Sequence, residues 1–229
     1  MNLTKEQYIE QRSQELAKYR KCSPDDVRYI AEREWNKSHT KQAYHRKGRF
    51  LFTSDLHFSH FNILRYDSRP FATIAEMNAY LINCWNKEVN DEDTVFILGD
   101  ISWDTDHNTA KILKQLKGKK ILVRGNHDPL GPEVSAQFAQ IHHGYLEVQD
   151  PETRTRLVLS HYPIHFYNGQ RKGAVMLYGH VHNGLDEDVA QEVAQIVRER
   201  LGVDFKMINV GCMHWDYRPV TLTEMLEKI

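Results

Sequence analysis

Arg49-Phe50-Leu51-Phe52-Thr53-Ser54-Asp55-Leu56-His57 is the stretch that decides the fold. A short apolar run ends abruptly in a carboxylate and an imidazole two residues apart. The run reads as a buried strand of a helix-covered sheet, with its polar residues just past the carboxyl end. In an extended segment positions i and i+2 share a direction, so Asp55 and His57 are expected to face one ion.

Working outward, the same layout returns. Thr94-Val95-Phe96-Ile97-Leu98 leads into Gly99-Asp100, and Lys120-Ile121-Leu122-Val123 leads into Gly125-Asn126-His127-Asp128. Arg156-Leu157-Val158-Leu159 leads into Ser160-His161, and Ala174-Val175-Met176-Leu177 into Gly179-His180-Val181-His182. Met207-Ile208-Asn209-Val210 closes the series. Helical patterns over Ile74 to Val89 and roughly Asn108 to Leu116 separate the first three runs. Apolar strands alternating with helices predict an α/β layered fold, sheets covered by helices. In such folds ligands sit beyond the carboxyl ends of strands, where these polar residues fall.

Residues 1–47 read differently. A charged helical stripe carrying Tyr8, Ile9, Leu16 and Tyr19 precedes Ser23-Pro24-Asp25-Asp26, a capping residue with proline in the first turn and acids at the positive end. Val27, Ile30, Ala31 and Trp35 give the second helix an apolar face. The expected organisation is an N-terminal helical hairpin extension over 1–47 and a main α/β domain over 48–229. The extension is read as packing on the core, with a homo-oligomer contact or the binding of a partner as its other uses.

Composition narrows the class. The chain has 229 residues, 41% hydrophobic and 27% charged, with a formal net charge of −1. Near-neutral charge gives no global attraction to nucleic acid or to an anionic membrane. No apolar run reaches the roughly 18 residues of a membrane helix, and the start lacks a signal-peptide pattern. Cys22, Cys84 and Cys212 are sparse and odd in number, which suits a reducing, cytoplasmic setting rather than a disulfide framework. Histidine is frequent, with 13 copies, and imidazole is the commonest metal ligand.

Each polar fragment alone is weak, since a turn Asp or Gly-Asn pair is commonplace. The conjunction is not. Five strand ends finish in Asp, Asn or His, and gathering that many buried polar groups without a ligand costs free energy for each one left unpaired. Gly99, Gly125 and Gly179 precede them where a small residue permits close approach.

The succession D-x-H, G-D, G-N-H-D, a lone His and G-H-x-H resembles the five-part signature of the calcineurin-like metallophosphoesterases. It covers about Phe50 to Val210. Ser54-Asp55-Leu56-His57-Phe58-Ser59-His60-Phe61-Asn62-Ile63 and Ile208-Asn209-Val210-Gly211 resemble a branch of small bacterial and phage enzymes. The resemblance implies two facing mixed β-sheets flanked by helices. It also implies that Asp55, His57 and His182 hold one divalent ion and that Asn126, His161 and His180 hold a second. Asp100 would bridge the two, its oxygens shared between them. Such donors suit Mn²⁺ first, with Fe, Zn, Ni or Co also accepted, and the ions are expected about 3.5–4 Å apart.

The activity so implied is hydrolysis of a small phosphodiester, nucleotide-derived among others, by a metal-bridging hydroxide. His127 would assist the leaving oxygen. His60, Asn62 and Arg65 are the expected substrate contacts, Arg65 through its planar donor fork. His165 and Tyr167 are further rim residues. Ile101-Ser102-Trp103-Asp104 after Asp100, and G-N-H-D where protein Ser/Thr phosphatases carry G-N-H-E, argue against that branch. A phosphomonoesterase and a catalytically inactive binding scaffold are the alternatives; the complete ligand set and His127 weigh against the scaffold.

Overall fold

The computed structural model describes residues 4–20, 23, 24, 28, 31 and 48–229. The chain divides into two compact units, Met1–Lys47 and Gly48–Ile229. In the first, helix α1 spans Lys5–Arg20, and Arg28 pairs with Glu6 and, at 3.4 Å, with Glu10. Pro24, Arg28 and Ala31 are helical, whereas Val27, Ile30 and Trp35 lie outside the described residues. Among the described residues no helix is long and apolar enough to cross a membrane.

The second unit is built on two four-stranded sheets. The first joins β1 (Phe50–Thr53), β2 (Thr94–Ile97), β3 (Lys119–Arg124) and β4 (Gln140–His143), in that order and all parallel. An antiparallel bridge from Phe52 to Val220 adds the opposite direction at its edge. The second sheet joins β5 (Leu146–Gln149), β6 (Arg156–Leu159), β7 (Val175–Tyr178) and β8 (Lys206–Asn209). It is mixed, with β5 antiparallel to β6 and the remaining pairs parallel.

Period-two alternation sorts the strand residues into layers. Phe52, Phe96, Leu98, Ile121 and Val123 turn toward Leu157, Leu159, Val175, Leu177 and Ile208, so the two sheets face one another across one core. Leu51, Val95, Ile97 and Leu122 turn outward. They pack under α3 (Ile74–Glu88) and α4 (Asp106–Leu113) through Met77, Leu81, Trp85, Ala110 and Leu113. On the far side Val158, Met176 and Met207 pack under α6 (Leu185–Leu201) through Ala194 and Val197. Short helices α2 (Ile63–Tyr66), α5 (Pro132–Ser135) and α7 (Leu222–Lys228) complete the unit.

Helix starts are chemically marked. Thr73 Oγ1 accepts from Glu76 N at 3.1 Å while the Glu76 carboxylate accepts from Ala72 N at 2.9 Å, a reciprocal cap that begins α3. Thr105 Oγ1 accepts from Asn108 N at 3.3 Å, which starts α4 earlier than its apolar pattern does.

Candidate metal centre

The carboxyl ends of β1, β2, β3, β6 and β7 meet at one edge of the sandwich. Ladder-like bonds continue past the first two strands: Asp55 N donates to Gly99 O at 3.1 Å and His57 N to Asp100 O at 3.0 Å. The spacing predicts an extended segment after β1, and the segment is not extended. Asp55 and His57 have φ of 55° and 50°, and Asp100, His180 and His182 are also left-handed, at 55°, 72° and 50°. Alternate left-handed residues curl the chain so that it presents side chains inward. Non-glycine residues held this way cost about 1–3 kcal/mol each and concentrate at functional sites.

Two clusters result. Asp55, His57 and His182 bring ligand atoms together, and Asp55, Asp100 and His161 do likewise. His57 Nε2 lies 3.3 Å from His182 Nε2, and His182 Nε2 lies 3.5 Å from Asp55 Oδ1. On the other side His161 Nε2 stands 2.9 Å from Asn126 Oδ1 and 3.2 Å from His180 Nδ1. Asp100 spans both, with Oδ2 3.6 Å from His57 Nε2 and Oδ1 3.6 Å from His161 Nε2. His180 and His182, two residues apart and both left-handed, turn to different clusters.

These groups fit a pair of cations. Atoms bound 2.0–2.2 Å from one ion at angles of 90–109° stand roughly 2.8–3.6 Å apart, and every separation above falls there. His161 Nδ1 donates to Leu98 O at 2.7 Å, which leaves the Nε2 lone pair facing the Asn126 oxygen. A cation between two such acceptors would draw on both. Asp55 and Asp100 are buried, at 0% and 2% exposure, and among the described residues neither pairs with Lys or Arg. Burial pushes the Asp55 carboxyl above its ordinary range, a penalty a bound cation offsets. Burial also holds His57 and His180 below the usual imidazole pKa, which keeps them in the neutral form a metal requires.

A supporting layer lies outside the five motifs. Asp67 Oδ1 accepts from His182 Nδ1 at 2.5 Å, fixing the tautomer that aims Nε2 into the cluster. Burial alone lowers the His182 pKa, yet the Asp67 bond and the charges of Asp55 and Asp67 together raise it. Arg69, buried, donates to Asp67 Oδ2 at 3.0 Å, Asp55 O at 2.7 Å and Leu56 O at 2.9 Å. Asp128 accepts from Ile101 N at 2.9 Å and Gly125 N at 2.6 Å, tying the second and third strand-end loops together. At Gly179 a Cβ would fall 2.1 Å from Ser54 Oγ and 2.4 Å from Asp55 Oδ2, so no larger residue fits.

Above the clusters opens a cavity of about 560 Å³, lined by His57, Asp100, Asn126, His127, His180 and His182 and walled by His60, Phe61, Asn62, Tyr66 and Trp103. His127 N donates to Asp100 Oδ1 at 3.0 Å, and its exposed ring lies 4.3 Å from that of Trp103. His60 and Asn62 therefore stand at the cavity wall. Arg65 does not: it lies at the end of α2, stacks on Tyr66 at 5.5 Å and lines a separate depression. Nor do His165 and Tyr167 form a rim. His165 Nε2 donates to Ala190 O at 2.9 Å, and the buried Tyr167 hydroxyl bonds to Ala174 O at 3.1 Å.

The calcineurin-like phosphoesterase family model matches residues 48–189, and the chain belongs to that family, whose members are typically dinuclear and metal-dependent. An uncharacterized protein of Methanocaldococcus jannaschii is 33% identical over 180 residues, 77% of this chain and 88% of that one. The gene 66 protein of Mycobacterium phage D29 is 27% identical over 173 residues, 63% of this chain and 84% of its own. Among solved structures, a protein of unknown function from Aquifex aeolicus superposes with a TM-score of 0.62 at 26% identity, covering 80% of this chain and 100% of its own.

Proposed function

We propose that this phosphoesterase hydrolyses a phosphodiester, with Asp55, His57 and His182 holding one cation, Asn126, His161 and His180 a second, and Asp100 both. The observation that carries the reading is the sharing of Asp100: its two oxygens lie at equal distance from the His57 and His161 nitrogens. Mn²⁺ is the first choice of metal, with Fe, Zn, Ni and Co compatible with the same donors. When bound, such a pair acidifies water and draws charge from the phosphoryl oxygens.

The protein's own groups supply the rest. The backbone bond from His127 to Asp100 holds the imidazole at the cavity edge, and among the described residues its ring makes no hydrogen bond. It is free to protonate a leaving alkoxide, a role that contributes about 10²–10⁴-fold. Among the described residues the cavity wall holds no Lys or Arg. A monoester dianion has little beyond the cations to neutralise it there, whereas a diester carries one charge and two organic arms that suit an aromatic wall. The free thiols of Cys84 and Cys212, the latter pushed up to about 12 by burial, support a cytoplasmic setting.

The test compares bis(p-nitrophenyl) phosphate with p-nitrophenyl phosphate in Mn²⁺-loaded protein. Faster diester turnover is expected; a monoester preference would reverse the assignment.

A further inference from the structure

The cavity wall has a composition that metal chemistry does not require. Phe61, Tyr66 and Trp103 are 74%, 62% and 49% exposed, although the same fold buries Trp85, Trp215, Phe52 and Phe96. Large aromatic surface left in water beside a reactive centre marks a ligand surface. The rings are also ordered. Trp103 stacks on His60 with centroids 4.3 Å apart and planes 12° apart. Tyr66 meets the His60 edge at 6.3 Å, and Trp103 lies 4.3 Å from His127. His127 in turn is 6.4 Å from His57. The row thus runs unbroken from exposed Tyr66 to the metal clusters.

We infer that this aromatic row seats one nucleobase of the substrate, making the enzyme selective for nucleoside phosphodiesters. The inference rests on the phosphodiesterase reading above. A flat π-system is the group such faces recognise, and stacking tolerates any base. Among the described residues no Lys or Arg lines the cavity, so the wall offers an anionic arm no cationic side chain and a flat one an aromatic face. Asn62 in the same wall offers an amide to a base edge. A base on the row lies beside His127, which places its phosphate over Asp100 and the imidazoles.

The test measures kcat/KM for the dinucleotide ApA and for glycerophosphoethanolamine, an aliphatic diester, in Mn²⁺-loaded wild type, Trp103→Ala and Trp103→Phe. The ApA-to-aliphatic ratio is expected to fall about 10-fold in Trp103→Ala, chiefly through KM, and to recover in Trp103→Phe. Using the ratio cancels any general loss from disturbing His127. Phe61→Ala, at a side chain exposed to solvent, serves the same comparison should Trp103→Ala fail to fold. Independently, adenosine monophosphate should quench the tryptophan emission of chelator-treated wild type more than that of Trp103→Phe. An unchanged ratio and equal quenching would overturn the base seat while leaving the phosphodiesterase intact. Failure of loaded wild type to cleave either diester would overturn the underlying activity instead.

Discussion

Asp67 shows how much of a metal site lies outside its ligands. Its carboxylate takes the His182 Nδ1 proton at 2.5 Å and is itself gripped by buried Arg69. Removing it frees the imidazole to rotate and to change tautomer. Asp67→Ala should weaken Mn²⁺ binding about 10–100-fold, read by calorimetry on chelator-treated protein; unchanged affinity would deny the role. His127→Ala should behave differently. It should slow cleavage of an alkyl diester by about 10²–10⁴-fold, but cost far less with p-nitrophenolate, which leaves without a proton. Equal losses on both substrates would remove His127 from leaving-group protonation. The expected ligands could be read from their motifs because each follows an apolar strand. Asp67 and Arg69 follow a four-residue helix, and no local rule links them to a histidine 115 residues further on. Trp103 was legible as a departure from the protein-phosphatase pattern, but its exposure is a property of the folded wall alone.

Elements were legible in proportion to burial. β1 and β6 match their apolar runs because both of their faces are buried, one between the sheets and one under helices. β4 and β5, with Gln140-Ile141-His142-His143 and Leu146-Glu147-Val148-Gln149, are edge strands left partly open, so their sequences lack an apolar run. α6 escaped the pattern because Leu185, Val189, Val193 and Ile196 put apolar groups on its exposed face too, blurring the helical period. The turn into β2 supplies a stability test. Asp93, buried, accepts Arg49 N at 2.8 Å, Asn90 N at 2.9 Å and the Arg49 guanidinium at 2.9 Å. Burial works against its charge, yet these bonds and Arg49 hold its pKa below the ordinary value. A depressed folded pKa stabilises above the unfolded value, about 3.9, and the benefit fades as pH falls through the folded one. Asp93→Asn should therefore cost about 2 kcal/mol at pH 7 in urea unfolding. The gap to wild type should close under acid; a gap independent of pH would refute the charge as its cause.

At the scale of the whole unit, the proposed ligands arrive from both sheets. Asp55, His57, Asp100 and Asn126 follow strands of the first sheet, and His161, His180 and His182 follow strands of the second. Cations seated among them would join the two sheets at one edge, and binding to the folded state alone would stabilise it. Mn²⁺ at about 100 times its Kd should add about 2.7 kcal/mol, seen as a raised Tm; an unmoved Tm would mean that no such site forms. The layered architecture was legible because five apolar runs end in polar residues, whereas the sorting of ligands between sheets depends on strand order, which spacing does not encode. Bis(p-nitrophenyl) phosphate hydrolysis by chelator-treated protein, with Mn²⁺ restored to wild type and to Asp100→Asn, tests the central claim most directly. Turnover should return with metal in the wild type and stay absent in the variant. Turnover without metal, or equal rates in the two proteins, would contradict a shared two-cation site at Asp100.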